Sequence, residues 1–313
     1  MTKRDKALGL IASMMPRRRL LGDQPVVRRV QGVKLEMPRS HLLPVYARLR
    51  PTYGQNLVEL AAGLKDAAPD DTLAIMDVGA NIGDSALQMM ARTDARVLCV
   101  EGDPYWVPYL RTNVGSQPGA VIAEVLLAPE HADWSAASPV REHGTTRFVS
   151  DAEGAPSQPM STATELRQRY PEFDNLRLLK SDTDGFDPVL VPAVAAAWHD
   201  THPVLFFEFD PTLARLAGND DPNKVWKDLA ALGYDRLAVW DNAGDPLGQM
   251  DITDAAEHAR TLEPRPVHHG YHFWDVAACH TDDQAAQKVL DRLVPETFDV
   301  RGTWRDRKPR RQR

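Results

Sequence analysis

Acidic side chains end two apolar segments near the first third of the chain. Leu73-Ala-Ile-Met leads into Asp77, and Val97-Leu-Cys-Val leads into Glu101. A glycine turn, Gly79-Ala-Asn-Ile-Gly83, and a segment rich in alanine and methionine lie between them. This order is typical of the first strand, turn, helix and second strand of a nucleotide-type α/β sheet. Both carboxylates are therefore expected at the carboxyl edge of a parallel sheet, where such sheets bind ligands.

The spacing of the turn indicates which ligand it can hold. Dinucleotide-binding turns read G-x-G-x-x-G, whereas this one reads Gly79-x-x-x-Gly83 and has Asp77 at the strand end. A carboxylate 4 Å from a pyrophosphate charge is unfavourable by ~4 kcal/mol at an effective dielectric constant of about 20, which argues against a nicotinamide oxidoreductase. A ligand that carries an ammonium and a sulfonium is attracted instead. The pattern favours S-adenosylmethionine (SAM) as cofactor, with its carboxylate on the N–H groups of the turn.

The remaining cofactor contacts follow from position in the predicted sheet. Glu101 ends the second strand, where a carboxylate can accept both ribose hydroxyls. For Tyr105 and Trp106, stacking on the adenine and packing against the sheet are equal alternatives. The residues predicted to bind the cofactor are Asp77, Gly79, Ala80, Asn81, Gly83, Asp84, Ser85, Glu101, Gly102 and Asp103.

Four polar residues near the ends of two later strands are the candidates for catalysis. Methyl transfer needs an acceptor aligned with the methyl group and a group that removes the acceptor's proton. Asp182, at a central strand tip, is the first choice for base or acceptor-orienting carboxylate, with capping of the next helix as its alternative. Lys180 is expected to pair with Asp182 or Glu208 or to stabilise the developing alkoxide, and a purely structural ion pair is equally compatible. Asp184 either takes part directly or bonds the turn backbone, and Glu208 contacts substrate, holds Lys180 or caps the next helix.

A required metal is not expected. Three carboxylates in one crevice could bind a hard cation, but the aspartate–asparagine pattern of catechol-type methyltransferases is absent. His268, His269 and His272 have no cysteine or glutamate at metal-ligand spacing, so a zinc site is not indicated.

Four spaced segments carry a resemblance to a known family. Leu178-Leu-Lys-Ser-Asp-Thr-Asp-Gly-Phe-Asp187 resembles the K-x-D-x-[ED]-G-x-[ED] block of FkbM-family SAM-dependent methyltransferases. Asp77–Asp84, Val100–Pro104 and Phe206–Pro211 fall in the order of that family's other motifs. The similarity covers roughly residues 40–290.

Two positions depart from that family's pattern. Asp184 stands where many members carry glutamate, and Ser181 stands where the family usually has an apolar residue. Aspartate at position 184 shortens the reach of that carboxylate.

The resemblance implies a fold and an activity. The expected fold is α/β, a class I methyltransferase Rossmann-like sheet of seven mostly parallel strands with an antiparallel terminal strand and helices on both faces. The implied activity is O-methylation of a hydroxyl on a sugar, a polysaccharide or a natural product. The alternative is a catalytically inactive SAM-binding partner or regulator, against which the intact Lys180-x-Asp182 pattern argues.

Hydrophobic periodicity and turn residues predict the elements that position these side chains. Strands are predicted at 73–78, 97–101, 121–127, 176–181, 203–209, 234–240 and 273–279. Helices are predicted near 83–92, 105–115, 161–170, 187–198 and 224–232. An insertion at 130–160, for which a hairpin is one interpretation, and the region 241–272 are expected to form the acceptor pocket. A short extended pair is predicted at Val26–Val30 and Val33–Met37.

Charge divides the chain into three regions. The formal net charge is −7, but residues 1–50 carry +9 and residues 301–313 carry +6, which leaves −22 for the remainder. An acidic body argues against nucleic acid as a partner; the basic C-terminal tail could contact an anionic surface, although a solvated tail is the simpler interpretation. The predicted organisation is a basic segment and helical cover over 1–70, the methyltransferase domain over 71–290 and a basic tail over 291–313.

Cysteine usage and hydropathy suggest the compartment. Cys99 and Cys279 are expected on two separated strands as free buried thiols, which fits a reducing, cytoplasmic setting. No stretch of 18 apolar residues occurs, so no transmembrane segment is predicted. The high content of alanine, arginine and aspartate suggests a bacterial genome rich in GC.

Overall fold

The computed structural model describes residues 23–130, 138–142, 145–149, 159–262 and 273–299. The described strands are β1 Pro25–Val30, β2 Val33–Pro38, β3 Ala74–Val78, β4 Arg96–Val100, β5 Ala120–Ala123, β6 Leu126–Ala128, β7 Ser138–Glu142, β8 Thr145–Val149, β9 Met160–Thr162, β10 Leu178–Ser181, β11 Val204–Phe209, β12 Tyr234–Asp241, β13 Pro246–Asp251 and β14 Trp274–His280. The described helices are α1 Leu43–Leu49, α2 Gln55–Ala67, α3 Asp84–Arg92, α4 Val107–Val114, α5 Ala163–Arg169, α6 Asp187–Ala197, α7 Pro211–Leu216, α8 Lys224–Ala231, α9 Ala255–Ala259 and α10 Gln284–Leu293.

One mostly parallel sheet organises the molecule. Its strand order is β13-β12-β14-β11-β10-β3-β4-β5, and β14 runs antiparallel to both β11 and β12. The predicted α/β class, the parallel core and the strand that folds back at one end are confirmed. The predicted count of seven strands is wrong, because β13 pairs antiparallel with β12 and makes eight.

Two apolar cores lie on opposite faces of this sheet, because successive strand side chains point to opposite sides. Met76 and Val78 belong to the core beneath α5, α6 and α8. Ile75 belongs to the other core, beneath α2, α3, α4 and α10. The expected helices on both faces are therefore confirmed, and the sheet is fixed from both sides.

The third predicted strand, 121–127, is broken in the structure. Glu124 interrupts the apolar sequence and forms an ion pair with Arg111 of α4 at 2.5 Å. Before it β5 pairs with β4, and after it β6 pairs with β9 in a separate two-stranded sheet. The predicted hairpin in the insertion is confirmed by the antiparallel pair β7 and β8.

The ends of the described chain pack against the central sheet. The predicted pair at the start forms as β1 and β2. After α10, a segment at 295–299 runs along β13, with the Gln249 N–H donating to the Pro295 carbonyl at 2.9 Å and the Asp299 N–H to the Leu247 carbonyl at 2.8 Å. Gly248 has a φ of +132°, and a Cβ there would lie 2.2 Å from the Thr297 carbonyl oxygen. The close approach of this segment therefore depends on a glycine.

Several predicted features lie outside the described residues. They are the histidines at 268, 269 and 272, the parts of 130–160 between the hairpin and its flanks, and the tail at 301–313. Within the described part of the chain, every helix is too short or too polar to cross a bilayer. Cys99 and Cys279 are free and buried on β4 and β14, as predicted.

Candidate functional site

Two hollows open at the carboxyl ends of the parallel strands. The first, here named the Glu101 cleft, is lined by Glu101, Gly102, Trp106 and apolar residues from 125–129. The second, named the Glu208 chamber, is lined by Lys180, Glu208 and residues of α1, α2 and α3. They share a wall formed by Gly79, Asn81, Asp182 and Asp184. A ligand in one hollow therefore lies next to a ligand in the other.

Glu101 lies at the base of its cleft as a buried carboxylate with two backbone partners. The N–H groups of Asn81 and Asp103 donate to its two oxygens at 2.8 and 2.7 Å. Its burial raises its pKa to about 7, against the effect of these two hydrogen bonds. Each oxygen keeps a lone pair for a further donor, as the sequence prediction of a diol-binding carboxylate requires.

The glycine turn uses its own N–H groups within the chain. The Gly79 and Ala80 N–H groups donate to the Val100 carbonyl at 3.0 and 3.1 Å, and the Asn81 N–H donates to Glu101. In this arrangement these N–H groups have partners within the chain, and their contact with a ligand carboxylate stays a prediction. Gly79 has a φ of +70° and a Cβ there would lie 2.1 Å from the Asp182 carbonyl oxygen, so its role is to let two loops meet.

Lys180 pairs with Asp77, not with Asp182 or Glu208 as the sequence suggested. The two residues are register partners on the parallel strands β10 and β3, and the ammonium lies 2.9 Å from an Asp77 carboxylate oxygen. Lys180 also donates to the Gly79 carbonyl at 3.0 Å. Burial opposes its charge, but Asp77 and Asp182 outweigh that effect and raise its pKa.

Asp77 has no exposed surface and lines neither hollow. Its predicted contact with a bound cofactor is therefore indirect in this arrangement. Asp77 fixes Lys180 at the wall of the Glu208 chamber.

Glu208 and Asp275 form the acidic wall of the chamber. They are register partners on the antiparallel strands β11 and β14, so their side chains stand side by side on one face of the sheet. Burial raises the pKa of Glu208 well above its usual range, and the charges of Asp182 and Asp184 add to the effect. Burial likewise raises the pKa of Asp275 to about 7.

Sequence reasoning missed Asp275 and Asn56. Asn56, on α2, donates from Nδ2 to an Asp275 carboxylate oxygen at 2.8 Å across a sequence separation of 219 residues. An acid inside the apolar segment Phe273–Cys279 was an available signal for Asp275. No local pattern singles out Asn56, since it lies on an ordinary amphipathic helix.

The motif around residue 181 contains a structural clasp. The Ser181 hydroxyl donates to Asp187 at 2.6 Å, and the Thr183 N–H donates to its other oxygen at 3.1 Å. Asp187 is fully buried, and burial raises its pKa to about 6. Ser181, the departure from the family's pattern, thus supplies a hydrogen bond that holds the loop carrying Asp182 and Asp184.

The other predicted residues divide between the hollows. Ala80, Asp84 and Ser85 line the Glu208 chamber, whereas Gly83 and Asp103 line neither. Trp106 lines the Glu101 cleft, but the Tyr105 hydroxyl donates to Asp23 at 2.6 Å instead. Asp184 has a φ of +52° and lines both hollows.

A single group of three potential metal ligands occurs within the described ranges, and it lies away from both hollows. His202, His280 and Asp282 have ligand atoms within 4.8 Å of one another. The two imidazole rings stack at 3.6 Å with planes 6° apart, so their in-plane nitrogens do not aim at a common point. This geometry does not suit a tetrahedral metal site.

Comparison with known proteins finds similar chains among solved structures only. No family model matches the sequence, and no curated protein matches it. Among solved structures, precorrin-6y C5,15-methyltransferase from Geobacter metallireducens is 12% identical with a TM-score of 0.37, over 71% of this chain and 87% of that one.

Two further structures align over more of the chain. TYW2 of P. horikoshii, solved in complex with MeSAdo, is 13% identical with a TM-score of 0.41, over 82% of this chain and 70% of that one. A SAM-dependent methyltransferase from Agrobacterium tumefaciens is 9% identical with a TM-score of 0.40, over 82% and 70%. Likeness at this level does not transfer substrates or site residues.

Proposed function

We propose that this protein is a SAM-dependent methyltransferase that acts on a hydroxyl group. The observation that carries the proposal is the shared wall at Gly79, Asn81, Asp182 and Asp184, where the Glu101 cleft meets the Glu208 chamber. One hollow suits a nucleoside and the other contains groups able to accept a proton. Group transfer between two bound molecules requires such adjacency.

The lining of the Glu101 cleft fits the adenosine part of SAM. Its buried carboxylate has capacity for hydroxyl donors, and Trp106, Leu126 and Phe186 provide apolar walls for a flat base. A mostly apolar pocket with a few placed polar groups is the usual form of a cofactor site. When bound, SAM supplies a methyl group on a sulfonium, a good leaving group.

Glu208 is the residue we assign to proton removal. It lines the chamber, and its raised pKa makes its ionised form a stronger base than an exposed carboxylate. Asp182 is exposed and lies on the shared wall, so we assign it the orientation of the acceptor hydroxyl. Lys180, held by Asp77, stabilises negative charge that develops on the acceptor oxygen.

The narrower assignment to the FkbM family rests on the four spaced motifs. The clasp of Ser181 and Asp187 shows that the last acid of the Lys180 block can serve a structural purpose, which leaves Lys180, Asp182 and Asp184 as its members at the hollows. We propose O-methylation of a sugar, polysaccharide or natural-product hydroxyl on this resemblance.

Calorimetric titration with S-adenosylhomocysteine (SAH) tests the cofactor assignment. We expect the wild-type protein to bind SAH and Glu101→Gln to bind it at least about tenfold more weakly, because a hydrogen bond to a charged group contributes roughly 1.5–3 kcal/mol. The exposed Glu257→Gln is the matched control and should bind like wild type. Wild-type protein that does not bind SAH, or equal affinity in Glu101→Gln, would contradict the assignment.

A further inference from the structure

The Glu208 chamber is lined by an excess of acidic side chains. Its lining includes five carboxylate residues, Asp84, Asp182, Asp184, Glu208 and Asp275. Lys180 is the one lysine or arginine among the described residues that line it, and Asp77 already neutralises that ammonium from behind. Such a chamber repels phosphates and carboxylates and attracts cations.

Polar atoms on the same wall have no partner among the described residues. Asn56 is 4% exposed and lines the chamber, and its buried Oδ1 accepts no hydrogen bond. The Glu208 carboxylate likewise forms no hydrogen bond or ion pair with the described part of the chain. A buried polar atom without a hydrogen bond is unfavourable, and a ligand rich in donors would supply the missing bonds.

The lining of the chamber also contains aromatic side chains. Tyr46 and Tyr53 line the chamber, and their ring centroids lie 5.6 Å apart at 40°. Burial and the surrounding carboxylates raise the pKa of Tyr53 well above its usual range, so its ring stays neutral. Aromatic faces of this kind attract ammonium groups and pack against sugar rings.

We propose that the acceptor is a vicinal amino alcohol, such as an amino sugar, whose protonated amine is bound by Asp275 while the neighbouring hydroxyl faces Glu208. The two carboxylates are adjacent across an antiparallel pair, a spacing of about 4.5–5.5 Å between Cβ atoms that suits neighbouring amine and hydroxyl substituents. The Asn56 Oδ1 accepts a further N–H from the same amine. This inference rests on the proposed function and specifies its acceptor.

Binding of three sugars to the SAH-loaded protein tests the charge preference. The probes are glucosamine, which carries a protonated amine beside a hydroxyl, and the uncharged glucose and N-acetylglucosamine. We expect glucosamine to bind at least about tenfold more tightly than either neutral sugar, equivalent to one charge interaction of ~1.4 kcal/mol. The preference should shrink as salt is added.

Two matched variants test whether the preference for glucosamine depends on the Glu208 chamber. Asp275→Asn keeps the size of the side chain and should remove the glucosamine preference, with SAH affinity unchanged. Asp254→Asn, an exposed acid outside the chamber, should keep the preference. Equal affinity for all three sugars, no saturable glucosamine binding, or an unchanged preference in Asp275→Asn would each overturn the proposal.

Proton release gives an independent readout. Burial raises the pKa of Asp275 to about 7. Binding of an ammonium group should therefore release a proton from the Asp275 carboxyl near neutral pH, whereas binding of glucose should not. Calorimetry of glucosamine binding in two buffers of different ionisation enthalpy measures this release. If SAH itself fails to bind, the proposed function fails; if SAH binds and the sugars do not differ, the inference about the acceptor alone fails.

Discussion

At the scale of single residues, the site depends on buried charges whose partners lie on neighbouring strands. Asp77 and Lys180 are 0% and 7% exposed in their side chains, so each depends on the other for its charge. Removing one member of such a pair leaves an uncompensated charge away from water, which is far more costly than losing a surface ion pair.

We predict that Lys180→Met lowers the free energy of unfolding by about 3–5 kcal/mol. Asp77→Asn in the same chain should recover part of the loss, because it removes the unpaired charge. Urea unfolding measures both. Lys224→Met breaks the exposed ion pair with Asp228 and should cost less than about 1 kcal/mol; equal losses at both lysines would refute the role given to Asp77.

Glu208 leads to a kinetic prediction at the same scale. Burial raises the pKa of Glu208, so its carboxylate ionises at higher pH than an ordinary one, and we expect kcat of the wild-type enzyme to rise with pH above the usual titration range of a glutamate. Glu208→Gln should lower kcat by about 10²–10⁴-fold, remove that rise and leave SAH affinity unchanged. Rate measurements against pH, with radiolabelled SAM and any accepted substrate, check it, and a retained pH rise in Glu208→Gln would assign the base elsewhere.

At the scale of elements, strands were predictable and their register was not. Apolar runs ending in Asp77, Glu101 and Glu208 identified three strands by local pattern. The pairing of Lys180 with Asp77 and of Glu208 with Asp275 depends on which strands become neighbours and in what register. Local periodicity contains no such information, and the acids of the site were therefore only partly identified.

Strand β13 was not predicted, and the reason lies in its local sequence. Pro246-Leu-Gly-Gln-Met-Asp251 contains proline and glycine, which are poor strand formers. Its pairing with β12 and the segment at 295–299 stabilises it from both sides. The helix α10 was missed for another reason, since its sequence was divided between the predicted domain and its tail.

The predicted helix over 161–170 forms as α5 and begins with a capping box. Thr162 accepts the Glu165 N–H at 3.2 Å, and Glu165 accepts the Thr162 N–H at 2.9 Å, which completes the capping box of α5. We predict that Thr162→Ala lowers the free energy of unfolding by about 1 kcal/mol, measured by urea unfolding. Thr164→Ala, exposed on the same helix, should be neutral or slightly stabilising because alanine has the higher helix propensity, and a loss as large as that of Thr162→Ala would contradict the role given to the cap.

At the scale of the whole molecule, the site contains several buried carboxyl groups whose ionised form is unfavourable. Burial raises the pKa values of Glu101 and Asp275 to about 7 and of Asp187 to about 6, from ordinary values of 3.8 to 4.5. Between about pH 4 and 7 the folded protein therefore binds more protons than the unfolded chain. Its free energy of unfolding should fall as pH rises through that window, because ∂ΔG/∂pH has the sign of protons bound unfolded minus folded.

Asp275→Asn tests this sign. We predict a gain of about 1–2 kcal/mol in the free energy of unfolding at pH 8, where the wild-type carboxylate is ionised, and little change near pH 4. Asp254→Asn, an exposed acid, should follow the wild-type curve throughout. Chemical unfolding between pH 4 and 8 measures it, and a wild-type stability that rises between pH 5 and 7 would contradict the assignment.

The segment at 295–299 has a consequence for self-association. It occupies the outer side of β13, and β13 is the last strand in the sheet order. A chain shortened before Pro295 would leave the N–H and C=O groups of β13 unpaired at an open sheet edge, a template on which a second copy can add a strand. The segment at 295–299 thus protects this edge of the sheet from edge-to-edge aggregation.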